Sequence, residues 1–114
     1  MKELQLDNFE KELLDCRGHR VVKFYSDECH LCISLSKKIV EVESAFPTIK
    51  FFKVDILKEK SISDLFVKDG VPTLYYFFDD SMEEIPYPYK NPDKESGYRM
   101  SQLKQYLENK INNV

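Results

Sequence analysis

The hydrophobic period of this chain changes once within "RVVKFYSDECHLCISLSKKIVEVESAF", residues 20 to 46, and that change restricts the folds open to it. "RVVKFYS", residues 20 to 26, is rich in β-branched and aromatic residues and predicts a buried central strand. Beyond it Cys32, Leu35, Ile39, Val42 and Phe46 recur at three and four residues, the inward stripe of a helix that Pro47 ends. Ser26 or Asp27 stands where a cap could satisfy the first free amides of that helix. A buried strand running directly into a helix calls for a crossover and a second parallel strand, which "TIKFFKVDI", residues 48 to 56, supplies.

The remaining segments complete an α/β pattern. "MKELQL" alternates as a short strand, and Asp7 and Asn8 offer a cap for a helix reaching Glu12 to Leu14 before "RGH" breaks it. "SISDLFV", residues 61 to 67, has helical spacing closed by Asp69 and Gly70, and Pro72 opens a strand in "VPTLYYFFDD". "EEIPYPY", residues 83 to 89, carries two prolines and is placed on an edge, where missing amide donors cost no ladder bonds. After the polar loop "KNPDKESG", Met100, Leu103, Leu107 and Ile111 share one face of a final helix, with Tyr106 beside them. The expectation is a central mixed five-stranded sheet with about four helices on both faces, parallel crossovers first and a hairpin last. A length of 114 residues suits one domain, residues 1 to 114, able to bury roughly two-thirds of its extended surface. No repeat or linker divides it.

Charge and cysteine content narrow the functions. The net charge is −3 with lysines and glutamates interspersed, so no large positive field is available for nucleic acid, and Lys37, Lys38 and Lys58 to Lys60 read as solvated helix faces. No run approaches the roughly 18 apolar residues of a membrane span, and acids interrupt any signal-like core at the amino end. Three cysteines cannot all pair internally, which fits a reducing compartment; the cytoplasm is the expected location.

Cys29 and Cys32 admit three readings. A structural zinc site wants four ligands, and the other candidates are Cys16, His19 and His30, with no second Cys-x-x-Cys. A purely structural disulfide across so short a loop removes little unfolded-state entropy. A dithiol that opens and closes in function fits best, because the strand end and first helical turn place free amides and the helix field at a thiolate. Cys29, at the exposed start, is then the attacking thiol and Cys32, one turn further in, the resolving thiol. His30 either stabilises the Cys29 thiolate when charged or is an exposed polar residue with no special role. Leu31 offers a small apolar contact to a partner, or is a single exposed leucine of no consequence. Cys16 reads as buried filler or as a regulatory or dimer-forming thiol.

These residues together resemble thioredoxin and, more broadly, thioredoxin-like proteins that include protein disulfide isomerase domains. "VVKFYSDECHLC" looks like the strand leading into the family's Cys-x-x-Cys, "KVDI" like the next strand with its acidic end, and "GVPTLYYF" like the segment whose cis-proline faces the cysteines. "SGYRMSQLKQYLENKI" resembles the glycine and last helix that close the fold. The resemblance covers almost the whole chain and implies a thioredoxin-like fold. It also implies a cis bond before Pro72 and a substrate groove lined by Val71 and Pro72, with the Val71 backbone pairing to an extended peptide.

The departures from the family pattern are specific. Glu28 stands where thioredoxin usually has tryptophan, His30 and Leu31 replace Gly-Pro, and the chain has no tryptophan, leaving Tyr25 as a possible aromatic cover. Glu28 sets a like charge beside the prospective thiolate. Lys23 occupies the position of the buried acid behind the second cysteine; either a lysine lies there, or it turns to the surface and the proton-transfer assistant is lost. The spacing also resembles glutaredoxin, but the glycine pair that follows that family's cis-proline strand is missing. Disulfide isomerases carry their histidine just before the second cysteine, whereas His30 follows the first.

The leading expectation is a thiol-disulfide oxidoreductase acting on disulfide-containing proteins through a reversible Cys29–Cys32 disulfide. It would work as a monomer with an external thiol or reductase as electron donor and with no bound cofactor. The alternative is a thioredoxin-like binding or structural subunit with weak or no redox turnover, a reading that Lys23 and Glu28 keep open. Tyr87 and Tyr89 add a possible partner contact at the edge, or simply reflect a chain with seven tyrosines.

Overall fold

A computed structural model describes residues 1–15 and 17–113; Cys16 and its expected roles lie outside the described residues. The elements follow in the order β1 (Lys2–Glu3), α1 (Leu6–Phe9) continuing as a π-helical turn (Glu10–Leu14), β2 (His19–Tyr25), α2 (His30–Ala45), β3 (Lys50–Asp55), α3 (Lys60–Phe66), β4 (Thr73–Phe78), β5 (Ser81–Glu84) and α4 (Met100–Asn112). The sheet order is β1-β3-β2-β4-β5. β3 pairs in parallel with β1 and β2, while β4 pairs antiparallel with β2 and β5, as expected for crossovers followed by a hairpin.

β2 is central because both its edges are occupied and both its faces are covered. Val21 faces one apolar cluster with Leu35, Ile39 and Val42 of α2 and Leu103 and Leu107 of α4. Val22 and Phe24 face the other with Phe9, Leu13, Ile62 and Phe66 from the first and third helical segments. Each fully buried aliphatic or aromatic side chain contributes about 1.5–3 kcal/mol before entropy is counted, so the alternation along β2 fixes its register.

Three local expectations are corrected. The cap of α1 is Gln5 rather than Asp7 or Asn8: Asn8 Oδ1 accepts the Gln5 amide at 2.7 Å, and Leu6 starts the helix exposed to solvent. The edge strand is Ser81–Glu84 rather than residues 83 to 89, since Asp79 turns the chain with φ 50° and Pro86 cannot continue the ladder. Where β5 leaves β4, the Tyr98 hydroxyl accepts the Leu74 amide at 3.1 Å and so replaces the missing strand partner. The third correction concerns the cap of α2, described below.

Arg20 is fully buried, and sequence periodicity gave no hint of its partners. Its guanidinium donates to the carbonyls of Leu13, Gly18 and Asp79, the last at 2.7 Å, tying the first helical segment to the β4–β5 turn. No helix among the described residues is long and apolar enough to cross a membrane.

Candidate active site

Cys29 is itself the N-cap of α2. Its extended backbone, φ −97° and ψ 116°, turns the sulfur back over the first helical turn, where Sγ accepts the Cys32 amide at 3.2 Å. A free amide of the first helical turn is thus spent on the Cys29 sulfur rather than on a side-chain oxygen. Ser26 does not cap the helix, contrary to expectation: its carbonyl accepts the Cys29 amide at 3.1 Å and its hydroxyl the Glu28 amide at 3.2 Å, holding the preceding turn. Asp27 and Glu28 are exposed, and neither supplies the cap.

Cys32 is 1% exposed and lies on the inward stripe of α2. Burial first, then the hydrogen bond that its S–H donates to Cys29, pushes its thiol up to about 12, while the Ser26 backbone and then Lys23 act in the opposite direction. Both cysteines are free thiols. They share a residue type and one helical turn, but only Cys29 reaches the rim.

Lys23 is turned inward, which settles the choice left by the sequence: it is 3% exposed on β2. Its ammonium donates to Ser36 Oγ at 2.6 Å, and Ser36 donates in turn to the Cys32 carbonyl at 3.0 Å. Burial, followed by repulsion from Lys53, its partner across the β2–β3 pair, lowers the Lys23 pKa. Tyr25 is wedged between these two lysines, each within 6 Å of its ring centre, and its hydroxyl donates to Glu3 at 2.8 Å. A cavity of about 270 Å³ lined by Tyr25, Ser26, Cys32 and Ser36 lies on this side of the pair. Tyr25 therefore sits beside Cys32 rather than over Cys29.

On the other side, the Val71–Pro72 bond is cis, as the resemblance implies. Cys29 Sγ lies 3.7 Å from the Val71 carbonyl oxygen, which it can reach as a weak donor. A groove of about 260 Å³ opens beside them and includes Leu31, Val71 and Pro72. His30 is exposed at the start of α2 and does not line that groove.

Sequence reading missed four contributors. Ser36 was detectable as a polar residue one turn beyond Cys32 on the buried face, and Asp69 and Gly70 as the residues preceding Val71. Glu84 enters the groove through the β4–β5 register, in which it pairs with Tyr75, and no local pattern reveals that.

Cys29, where β2 passes into α2, thus faces the cis Val71–Pro72 bond that opens the adjacent strand β4. The sequence matches the thioredoxin family model over residues 1–109, and the chain belongs to that family. It is similar to a thioredoxin of Acetoanaerobium sticklandii, 32% identical over 80 residues covering 69% of this chain and 76% of that protein. It is also similar to a thioredoxin of Buchnera aphidicola subsp. Schizaphis graminum, 32% identical over 76 residues covering 66% of this chain and 70% of that one. Among solved structures, a chain from work on thiol resolution in yeast mitochondrial 1-Cys peroxiredoxin via glutathione/thioredoxin systems superposes with a TM-score of 0.77. That match has 18% identity and covers 96% of this chain and 94% of the other, which shows a shared fold. The Cys29–Cys32 pair is a candidate redox-active pair consistent with oxidoreductase activity.

Proposed function

We propose that the protein reduces or exchanges protein disulfides by dithiol exchange, with Cys29 as nucleophile and Cys32 as resolving thiol. The observation that carries this reading is the Cys29 sulfur, which accepts a helix amide at 3.2 Å and lies 3.7 Å from the carbonyl oxygen of Val71, a residue that lines the groove with Pro72. The Cys29 thiolate attacks one sulfur of the substrate disulfide, that S–S bond breaks, and the departing substrate thiolate takes a proton from solvent. Cys32 then loses its proton and attacks Cys29 Sγ, the mixed disulfide breaks, and the second substrate thiolate leaves. Two electrons have passed to the substrate and the chain holds a Cys29–Cys32 disulfide, which an external thiol or reductase reopens.

Residues 1 to 114 act in this proposal as one monomeric cytoplasmic domain that needs no cofactor, nucleic acid or membrane. The Val71 backbone pairs with an extended substrate segment and Pro72 shapes the groove floor. Leu31 adds an apolar contact at the rim, and the exposed His30 and Glu28 flank Cys29 in sequence. Lys23, as an ammonium steadied by Ser36, lowers the cost of the Cys32 thiolate and so replaces by charge what an acid would do by proton transfer.

The deep burial of Cys32 favours a second reading, in which resolution is too slow for turnover and the chain serves as a thioredoxin-like binding subunit. Insulin reduction with a dithiol donor separates the two. Turnover lost in Cys29→Ser, with a mixed disulfide accumulating only in Cys32→Ser, supports exchange; absence of cysteine-dependent turnover with any donor supports the binding subunit.

A further inference from the structure

The groove beside Cys29 carries charge that the exchange chemistry does not use. Asp69 and Glu84 line it, and none of its lining residues is a lysine, arginine or histidine. Among the described residues neither carboxylate forms an ion pair. The contrast with the adjacent position on β5 is direct: Glu83 is bonded to Lys110 and Tyr106, whereas Glu84 faces the groove without a cation. Lys68 and Lys90 flank Asp69 and Tyr89 in sequence but do not line the groove.

An aromatic wall stands beside these acids. Tyr89 is 66% exposed, and its hydroxyl donates to Asp69 Oδ2 at 3.1 Å, which orients the carboxylate. Its ring lies 4.9 Å from that of Tyr87, tilted by 56°. Tyr87 is in turn seated on Gly97, where an added Cβ would fall 2.9 Å from the ring. Asp27 and Glu28, exposed just before Cys29 in sequence, do not line this groove. Aromatic faces with nearby carboxylates suit a side chain that has an apolar stem and a cationic head.

We propose that this groove selects protein disulfides whose cysteine is flanked within a few residues by arginine or lysine, the stem lying against Tyr87 and Tyr89 and the charge at Asp69 and Glu84. The proposal rests on the exchange reading for the position of the substrate cysteine. An extended segment advances roughly 3.3 Å per residue, so a near neighbour of a cysteine held at Cys29 can reach the groove beside Val71. Arginine fits better than lysine, because its planar guanidinium can stack on a tyrosine while bonding a carboxylate.

The test uses the full chain, a dithiol donor and three disulfide-linked peptides that differ only in carrying arginine, glutamine or glutamate on both sides of the cysteine. The expected order of kcat/KM is arginine, glutamine, glutamate. The arginine-to-glutamate ratio is expected to be about tenfold at low ionic strength and to shrink as salt rises. Asp69→Asn combined with Glu84→Gln should bring the ratio down by about threefold or more. Equal rates for the three peptides, or a ratio unmoved by the double substitution, would overturn the proposal. Binding of the same peptides with serine in place of cysteine, followed through the backbone amides of Asp69, Gly70 and Tyr89 by NMR, reads the groove without any exchange. Tighter binding of the arginine peptide supports the selection even where no peptide is reduced, an outcome that removes the exchange reading alone. Equal or absent binding across the series counts against the groove whatever the turnover.

Discussion

Cys29 and Cys32 differ in surroundings rather than in chemistry. Cys29 caps α2 and takes an amide on its sulfur; Cys32 sits one turn deeper, 1% exposed, with a thiol pushed up to about 12. Behind Cys32 stand Ser36 and the buried Lys23, while Cys29 lies beside Val71, which lines the groove. The difference teaches that a single helical turn is enough to set one thiol at the rim and the other beneath it, which is the inequality that the proposed division of roles needs, since depth sets access and, at Cys32, the cost of charge.

The comparison breaks most severely on removing either sulfur. Cys29→Ser is expected to lower insulin reduction to the uncatalysed background, whereas Cys32→Ser should still attack once and then stall as a mixed disulfide visible by mass spectrometry. The next largest effect is that of pH on the resolving step. Burial is the first cause that raises the Cys32 thiol, and it persists when Cys29 is held in a mixed disulfide, so the thiolate fraction is small at neutrality and raising the pH exposes more nucleophile. Resolution followed by stopped flow should therefore accelerate by about tenfold per pH unit between about pH 7 and pH 10. A plateau in that interval would show that burial does not control Cys32.

Lys23→Met sharpens the same contrast from behind. Losing the positive charge should slow resolution by about three- to tenfold and move the alkylation of Cys29 far less, as rapid-quench and iodoacetamide kinetics would show. The mildest rate effect is expected at Gly97, which has φ 78° and packs against Tyr87. Gly97→Ala should cost about 1–3 kcal/mol in urea unfolding and disturb the groove, so reduction of a protein disulfide falls more than reduction of a small one.

How far these features were legible depended on whether a local pattern carried them. The β2 and α2 segments could be read because the hydrophobic period changes from strand to helix at the cysteines, and every residue of the α2 stripe from Cys32 to Phe46 is buried. The cap was misplaced because serine and aspartate are the usual capping side chains, and a cysteine sulfur competes with them only when its own backbone turns it over the helix. The edge strand was displaced because the β-rich composition of "IPYPY" outweighed the turn signal at Asp79 and Asp80. Lys23 could be assigned to the right strand, but its inward orientation depends on Ser36 lying across the layer, which no spacing on β2 contains. Glu84 reaches the groove, where Asp69 of the loop before Val71 also lies, through the β4–β5 register, the kind of information that local periodicity lacks.

The central claim, that the two thiols are unequal because one lies at the rim and the other beneath it, is most directly tested by mapping alkylation of the fully reduced protein residue by residue across pH. The expected result is rapid modification of Cys29 at neutral pH, with Cys32 protected until the pH is well above the ordinary thiol range. Comparable rates at the two sulfurs, or earlier modification of Cys32, would contradict it.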